Sequence, residues 1–140
     1  AGQEYGLRGG TLATPLILGF GAAVADDTIE RNLDNIKNLN SFVRSKVIEN
    51  EGIINSPNSD YIPHILNIRF PNFDASQFVA NSDFICSQGS ACSSMNIEIS
   101  YVLREIGLNF DEGNQSIRVS LAHEITQNQL QEFIKKIKGA

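Results

Sequence analysis

Cysteine and histidine are scarce in this sequence, with two of each in 140 residues. Two thiols, Cys86 and Cys92, are too few for the disulfide framework of a small secreted domain, so the expected compartment is a reducing cytoplasm. His64 and His123 are isolated from each other and from the cysteines, which argues against a zinc site. No apolar run reaches the length of about 18 residues that a membrane span needs. Ala1 to Gly10 is polar and glycine-rich, without the apolar centre of a signal peptide. Positive charge is also short. The net charge is -5, and the only basic concentration, Lys135-Lys136-Lys138, sits where it complements the dipole of a final helix. A nucleic-acid surface would need clustered Lys and Arg elsewhere.

What is present describes one ordinary domain. An apolar share of 41% with 19% charged residues suits a soluble globular chain, and this length buries about two thirds of the unfolded surface. Thr14-Pro15 reads as an N-cap and first helical position, opening a helix through Leu16, Ile17 and Phe20 towards Val24. Asp27 with Glu30 predicts a second start of capping-box type. Ile29, Leu33, Ile36, Val43 and Val47, widened by Leu39 and Phe42, form the stripe of a long amphipathic helix ending near Gly52. One kinked helix and two separate helices are both open.

The period then changes to two. Leu66, Ile68 and Phe70 alternate with Asn67 and Arg69, and Pro71 closes the strand. Asp74 and Gln77 cap a short helix through Phe78 and Val79. Phe84 to Ser87 is expected as a short strand. A helix follows over Tyr101 to Ile106, with Ser93, Ser94 and Asn96 as cap-competent residues and Gly107 as its stop. Ser116 to Leu121 alternates again, and Thr126 with Gln129 opens a helix carrying Leu130, Phe133, Ile134 and Ile137 at i, i+3, i+4, i+7. The expected fold class is α+β: a small, mostly antiparallel sheet covered on one face by helices.

Three places carry chemistry. Gln88-Gly89-Ser90-Ala91-Cys92-Ser93-Ser94 sets a thiol among small residues ahead of a helix, conditions that lower a thiol pKa. A plain loop with a free cysteine is the competing reading. Gly6-Leu7-Arg8-Gly9-Gly10-Thr11 offers backbone N–H groups, a hydroxyl and a guanidinium to an anion, or is a flexible turn. Arg118, on the polar side of its strand, is either a solvated edge charge or a bidentate clamp for a carboxylate.

Together, Gln3-Glu4-Tyr5-Gly6-Leu7-Arg8-Gly9-Gly10-Thr11-Leu12, Gly19-Phe20-Gly21, Gly89-Ser90-Ala91-Cys92-Ser93-Ser94, Ser100-Tyr101-Val102-Leu103-Arg104 and Ser116-Ile117-Arg118-Val119-Ser120-Leu121 resemble the cysteine desulfurases. These are pyridoxal-phosphate enzymes of the class V aminotransferase fold, and the cysteine loop is similar to that of the iron–sulfur-cluster and nitrogen-fixation type. The resemblance covers essentially all 140 residues. It implies that Cys92 is the nucleophile that takes sulfur from L-cysteine as a persulfide, releasing L-alanine. It further implies that Thr11 reaches the pyridoxal 5'-phosphate group of the neighbouring subunit in a homodimer, and that Arg118 clamps the substrate carboxylate. Cys86 matches no family position and reads as a buried strand residue.

In that light residues 1–13 form a cofactor and dimer-contact loop and 88–94 the catalytic cysteine loop. The family's Schiff-base lysine lies in a Ser-x-His-Lys run, which this sequence lacks. The chain therefore reads as the C-terminal small domain of a larger enzyme, inactive alone. Gly9, Tyr5 and Ala122-His123-Glu124 depart from the usual pattern. The sulfur acceptor is either a cluster scaffold or a tRNA-thiolation enzyme. A stand-alone persulfide carrier or docking module without cofactor is the alternative.

Overall fold

A computed structural model describes residues 4–7, 9–57, 60–84, 86–88 and 99–139. Two compact units divide the chain, Ala1–Arg31 and Asn32–Ala140. In the first, a 3-10 turn at Glu4–Gly6 precedes helix α1, Thr14–Ala25. Thr14 lies inside the helix rather than capping it. Ala13 is the N-cap, its carbonyl accepting from Leu16 N (2.9 Å) and Ile17 N (3.1 Å) without help from a side chain. The apolar residues Leu16, Ile17, Leu18, Phe20 and Val24 are exposed.

Helix α2, Thr28–Glu49, starts afresh after Asp26 and Asp27, so there are two helices rather than one with a kink. Asp27 directly precedes the helix, its carbonyl accepting from Arg31 N (2.9 Å), and Asp26 adds side-chain bonds to the first turn. The Asp26 Oδ1 accepts from Thr28 N at 2.9 Å and from the Thr28 hydroxyl. The Asp27 carboxylate pairs with Arg31 at 2.7 Å, one turn along.

The second unit is built on the sequence alternation. Strands β1 (Ile53–Ile54), β2 (Ile65–Arg69) and β3 (Ser116–Ser120) form an antiparallel sheet in the order β1-β2-β3. In β2 and β3, Leu66 lies opposite Val119 and Ile68 opposite Ile117, placing four apolar side chains on one face. That face is closed by Leu39, Val43 and Val47 of α2. Leu130, Phe133, Ile134 and Ile137 of helix α6 (Gln127–Lys138) complete the cover. The α6 capping box of Thr126 and Gln129 forms as expected. Ring contacts continue the core, Phe70 to Phe73 (6.4 Å) and Phe78 to Phe133 (5.9 Å) edge-to-face and Phe73 to Phe78 (5.4 Å) tilted. The α+β class and the antiparallel sheet are as the sequence implies.

One polar residue, Asn40, is fully buried in α2, and its bonds explain why this is tolerated. Its Nδ2 donates to the Pro63 carbonyl (2.7 Å) while its Oδ1 accepts from Arg44 Nε (2.8 Å). Arg44 in turn reaches the Pro57 carbonyl (2.7 Å) and lies over the Tyr61 ring. The long connection into β2 is thereby tied to the helix.

Several expectations change. Helix α2 ends at Glu49, and the chain then forms β1, two residues long and too short to show alternation. Phe84 to Ser87 is not a strand among the described residues, where pairing is limited to one bridge, Ser87 with Arg118. Helix α3 (Ala75–Asn81) is capped by Asp74 as read, the side chain accepting from Gln77 N. Helix α4 runs Tyr101–Glu105 with Ser100 as its N-cap. The candidate caps Ser93, Ser94 and Asn96 lie outside the described residues. Helix α5, Phe110–Asn114, had no counterpart in the reading, although Asn109 and Glu112 make a complete capping box.

Gly52 marks where α2 turns into the sheet. A Cβ there would lie 2.6 Å from a ring carbon of Phe70 and 2.7 Å from a methyl of Val47, both in the core. Gly52→Ala is expected to destabilise the chain by about 1–3 kcal/mol, as overpacking does. Its denaturation midpoint should fall while the slope with denaturant stays unchanged.

Candidate functional site

The face of the sheet opposite the core is mostly polar, with Ile53 and Ile65 as its apolar members. Asn67 and Arg69 of β2 and Ser116, Arg118 and Ser120 of β3 share it, since each alternates with a core residue. Several of its polar groups are engaged internally. Arg69 forms a 2.6 Å ion pair with Glu112 of α5. Glu112 also accepts from Asn109 N (3.0 Å), closing the α5 capping box. The backbone hydrogen bond from Asn109, with the Arg69 guanidinium adding to it, holds the Glu112 carboxyl below the usual range against a smaller opposing effect of desolvation.

A relay runs beside that pair. The Ser116 hydroxyl donates to the Glu112 carbonyl (2.7 Å) and accepts from Asn55 Nδ2 (3.0 Å). The same Asn55 nitrogen donates to Asn67 Oδ1 (2.6 Å). Asn67 N donates to the Ser56 hydroxyl at 2.7 Å.

Arg118 is not engaged in this way. It is exposed, and among the described residues its guanidinium has no hydrogen bond or ion pair. Its backbone is nevertheless fixed on both sides. Asn67 is its partner across β2–β3, while Arg118 N donates to the Ser87 carbonyl (2.7 Å) and Ser87 N returns to the Arg118 carbonyl (3.4 Å). An arginine whose strand is rigid and whose five donors are free suits an external carboxylate, which it can grip bidentately.

Cys92 and Arg8 lie outside the described residues. The approach to Cys92 is described up to Gln88. The Gln88 side chain accepts from the Ser76 hydroxyl of α3 (2.7 Å) and donates to the Asn114 carbonyl (3.3 Å) at the end of α5. Beyond the undescribed stretch, Ile99 lies against buried Gly113 of α5, where a Cβ would sit 2.4 Å from its side chain. Both flanks of the cysteine-bearing segment therefore meet the same short helix. Cys86 is half-buried against the core, and burial pushes its thiol up, opposite to what a nucleophile needs.

Thr11 belongs to the first unit. It is exposed in a cleft of about 430 Å³ lined with Glu4, Leu12 and Thr14, and its hydroxyl has no partner among the described residues. A free hydroxyl fits one contact to a phosphate, whereas the Glu4 carboxylate in the same lining opposes an anion. All five lysines lie on α2 or α6, where Lys37, Lys46 and Lys136 are paired with Asp34, Glu49 and Asp83. The residues described thus offer a phosphate-bearing cofactor one hydroxyl, that of Thr11. Among them no group of His, Cys, Asp and Glu could hold a metal ion. No described helix is long and apolar enough to cross a membrane.

The fold and this face define a small α+β domain whose polar sheet face presents an arginine open to an anion. No protein-family model matches the chain. It is 32% identical over 98% of its length to the mitosomal cysteine desulfurase of Encephalitozoon cuniculi. Against the cysteine desulfurase IscS of Vibrio cholerae it is 34% identical over 99%. The NifS-like protein of Rickettsia africae superposes with a TM-score of 0.78 at 31% identity, covering all of this chain and 39% of that one. A structure of SspA in complex with cysteine gives 0.56 at 34% identity, covering 86% of this chain and 33% of that one. The chain is thus homologous, over almost its whole length, to the cysteine desulfurases. It spans about a third of the length of those curated relatives, 34% in one and 35% in the other.

The Glu112 pairing has a pH signature. Its folded pKa lies below the unfolded value of about 4.3. The pairing therefore adds stability above the unfolded value and loses it as pH falls through the folded one. Glu112→Gln should be less stable than the parent at about pH 6 and should converge with it near about pH 3. Thermal midpoints of both proteins across that range check this.

Proposed function

We infer that this chain is the C-terminal small domain of a cysteine desulfurase, which converts L-cysteine to L-alanine and a persulfide on Cys92. The observation that carries the reading is Arg118, the unpaired guanidinium on a face whose other ionic and amide groups are largely bonded to one another. The homology to desulfurases and the likeness to a protein bound to cysteine support the same substrate.

In this reading Arg118 fixes the carboxylate of L-cysteine, which orients the substrate thiol. The Cys92 thiolate attacks the substrate sulfur. An S–S bond forms as the substrate C–S bond breaks, its electron pair stays with carbon, and a proton completes alanine. Pyridoxal 5'-phosphate, when bound, supplies the electron sink that this cleavage needs. Thr11 would give its hydroxyl to that group's phosphate, across a homodimer interface in residues 1–13. Segment 88–94 would carry the persulfide to an acceptor protein, either a cluster scaffold or a tRNA-thiolation enzyme. The compartment is a reducing one, the cytoplasm or, as the names of some relatives allow, an organelle. Without a Ser-x-His-Lys run, residues 1–140 alone release no sulfide from cysteine.

The second reading, a stand-alone persulfide carrier, gains from the apolar core of the second unit but leaves Arg118 without a task. The test is alanine release from L-cysteine by the product of the whole reading frame that contains this chain. Cys92→Ala should abolish it. Arg118→Ala should lower kcat/KM on the order of a hundredfold, chiefly through KM, as loss of a bidentate charged contact does. Alanine release indifferent to Cys92 would overturn the reading.

A further inference from the structure

The polar face carries more than Arg118. Asn67 lies directly opposite it in the β2–β3 register. Their backbones face away from each other. Asn67 N donates to the Ser56 hydroxyl, and its carbonyl accepts from Asn55 N (2.9 Å) and Ser56 N (3.3 Å). Arg118 exchanges both its backbone bonds with Ser87. The two are therefore a non-hydrogen-bonded antiparallel pair, the closer type, with Cβ atoms about 4.5–5.5 Å apart on one face.

The orientation of the Asn67 amide follows from the relay beneath it. The Glu112 carbonyl can only accept, so the Ser116 hydroxyl donates to it and must accept from Asn55. The Asn55 NH2 group is thus turned inward and supplies both Ser116 and Asn67 Oδ1. With its oxygen held by Asn55, Asn67 presents its own NH2 group, which has no acceptor among the described residues. On the other side of Arg118, the Ser87 hydroxyl shares the face through the bridge and is buried without a hydrogen-bond partner. A guanidinium, an amide NH2 and a hydroxyl thus form one row, all with unused donors.

We propose that Asn67 is the second donor to the carboxylate that Arg118 binds, its NH2 group bonding a carboxylate oxygen while Asn55 fixes the amide. A carboxylate has lone pairs for about four donors, so the guanidinium fork leaves room for this one. Asn67 then helps select a substrate with a free carboxylate. This rests on the desulfurase reading.

Asn67→Asp isolates the role, because the new side chain still accepts from Asn55 and only the outward NH2 group becomes an oxygen. In the product of the whole reading frame, KM for L-cysteine should rise about tenfold to a hundredfold, the worth of a hydrogen bond to a charged group. The kcat should change much less and the thermal midpoint should hold. Should Asn67→Asp not fold, Asn67→Ser, too short to reach the carboxylate, carries the same expectation. An unchanged KM beside a raised KM in Arg118→Ala would overturn the role of Asn67 and leave the clamp standing. If Arg118→Ala also left KM unchanged, the carboxylate site itself would fall, and this proposal with it.

Discussion

The β2–β3 register is the constraint on which the second unit depends. Five consecutive residue pairs, from Ile65 with Ser120 to Arg69 with Ser116, settle both faces at once. With Leu66, Ile68, Ile117 and Val119 against α2 and α6, Asn67 and Arg118 must lie together on the opposite side. A slip of one residue in β3 would drive the Arg118 guanidinium into the core and Ile117 and Val119 into water. Burial of the four apolar side chains, at about 1.5–3 kcal/mol each, holds the register far more firmly than any contact on the polar face could. The core thus positions the site without touching it.

Polar groups on the other face follow a different logic. Arg69 and Glu112 neutralise each other, and Asn55, Ser116 and Asn67 satisfy one another down to a backbone carbonyl. These bonds anchor α5, which is only five residues long and could not persist alone. Ser116 matters twice: it is buried in β3, and its hydroxyl closes the turn from α5 into the strand. Against this economy the unused donors of Arg118, Asn67 and Ser87 stand out, together with the buried Nε of Arg69. A buried hydroxyl without a partner is costly in a folded chain, and such groups gather where a ligand completes them.

Much of this was legible in the residues. Strong periodicity located α2, α6, β2 and β3, and the Thr126–Gln129 box gave the start of α6. Arg118 could be assigned to the polar side because its neighbours Ile117 and Val119 alternate with it. Elements fixed by tertiary contacts were not legible. Ile53–Ile54 pairs with β2 only because Gly52 lets the chain pass close to Phe70 and Val47. The apolar run at Phe84 to Ser87 suggested a strand, yet the Phe84 ring is spent on Phe133 and, among the described residues of that run, only Ser87 bridges to the sheet. Helix α5 had a signal, Asn109 with Glu112 three residues on, hidden by the short acidic stretch between Gly107 and Gln115. The relay that orients Asn67 joins residues 12 and 61 positions apart, which no local pattern reveals.

The bridge at Ser87 has a consequence for chemistry at Cys92. Arg118 and Ser87 exchange two backbone hydrogen bonds, so the residue that would hold the carboxylate and the segment that leads to the thiol are joined through the main chain. Gln88, the next residue, is held by α3 and by the end of α5, and Ile99 on the far side lies against α5 again. In the proposed function, substrate grip and thiol delivery would share one frame, made of β3, α5 and the Glu112–Arg69 pair. A change that loosens α5 would disturb both at once, raising KM and lowering kcat together. A change confined to the outward donors of the row would act on substrate binding alone. That difference in kinetic signature follows from where the hydrogen bonds run, and it separates residues that hold the frame from those that hold the ligand.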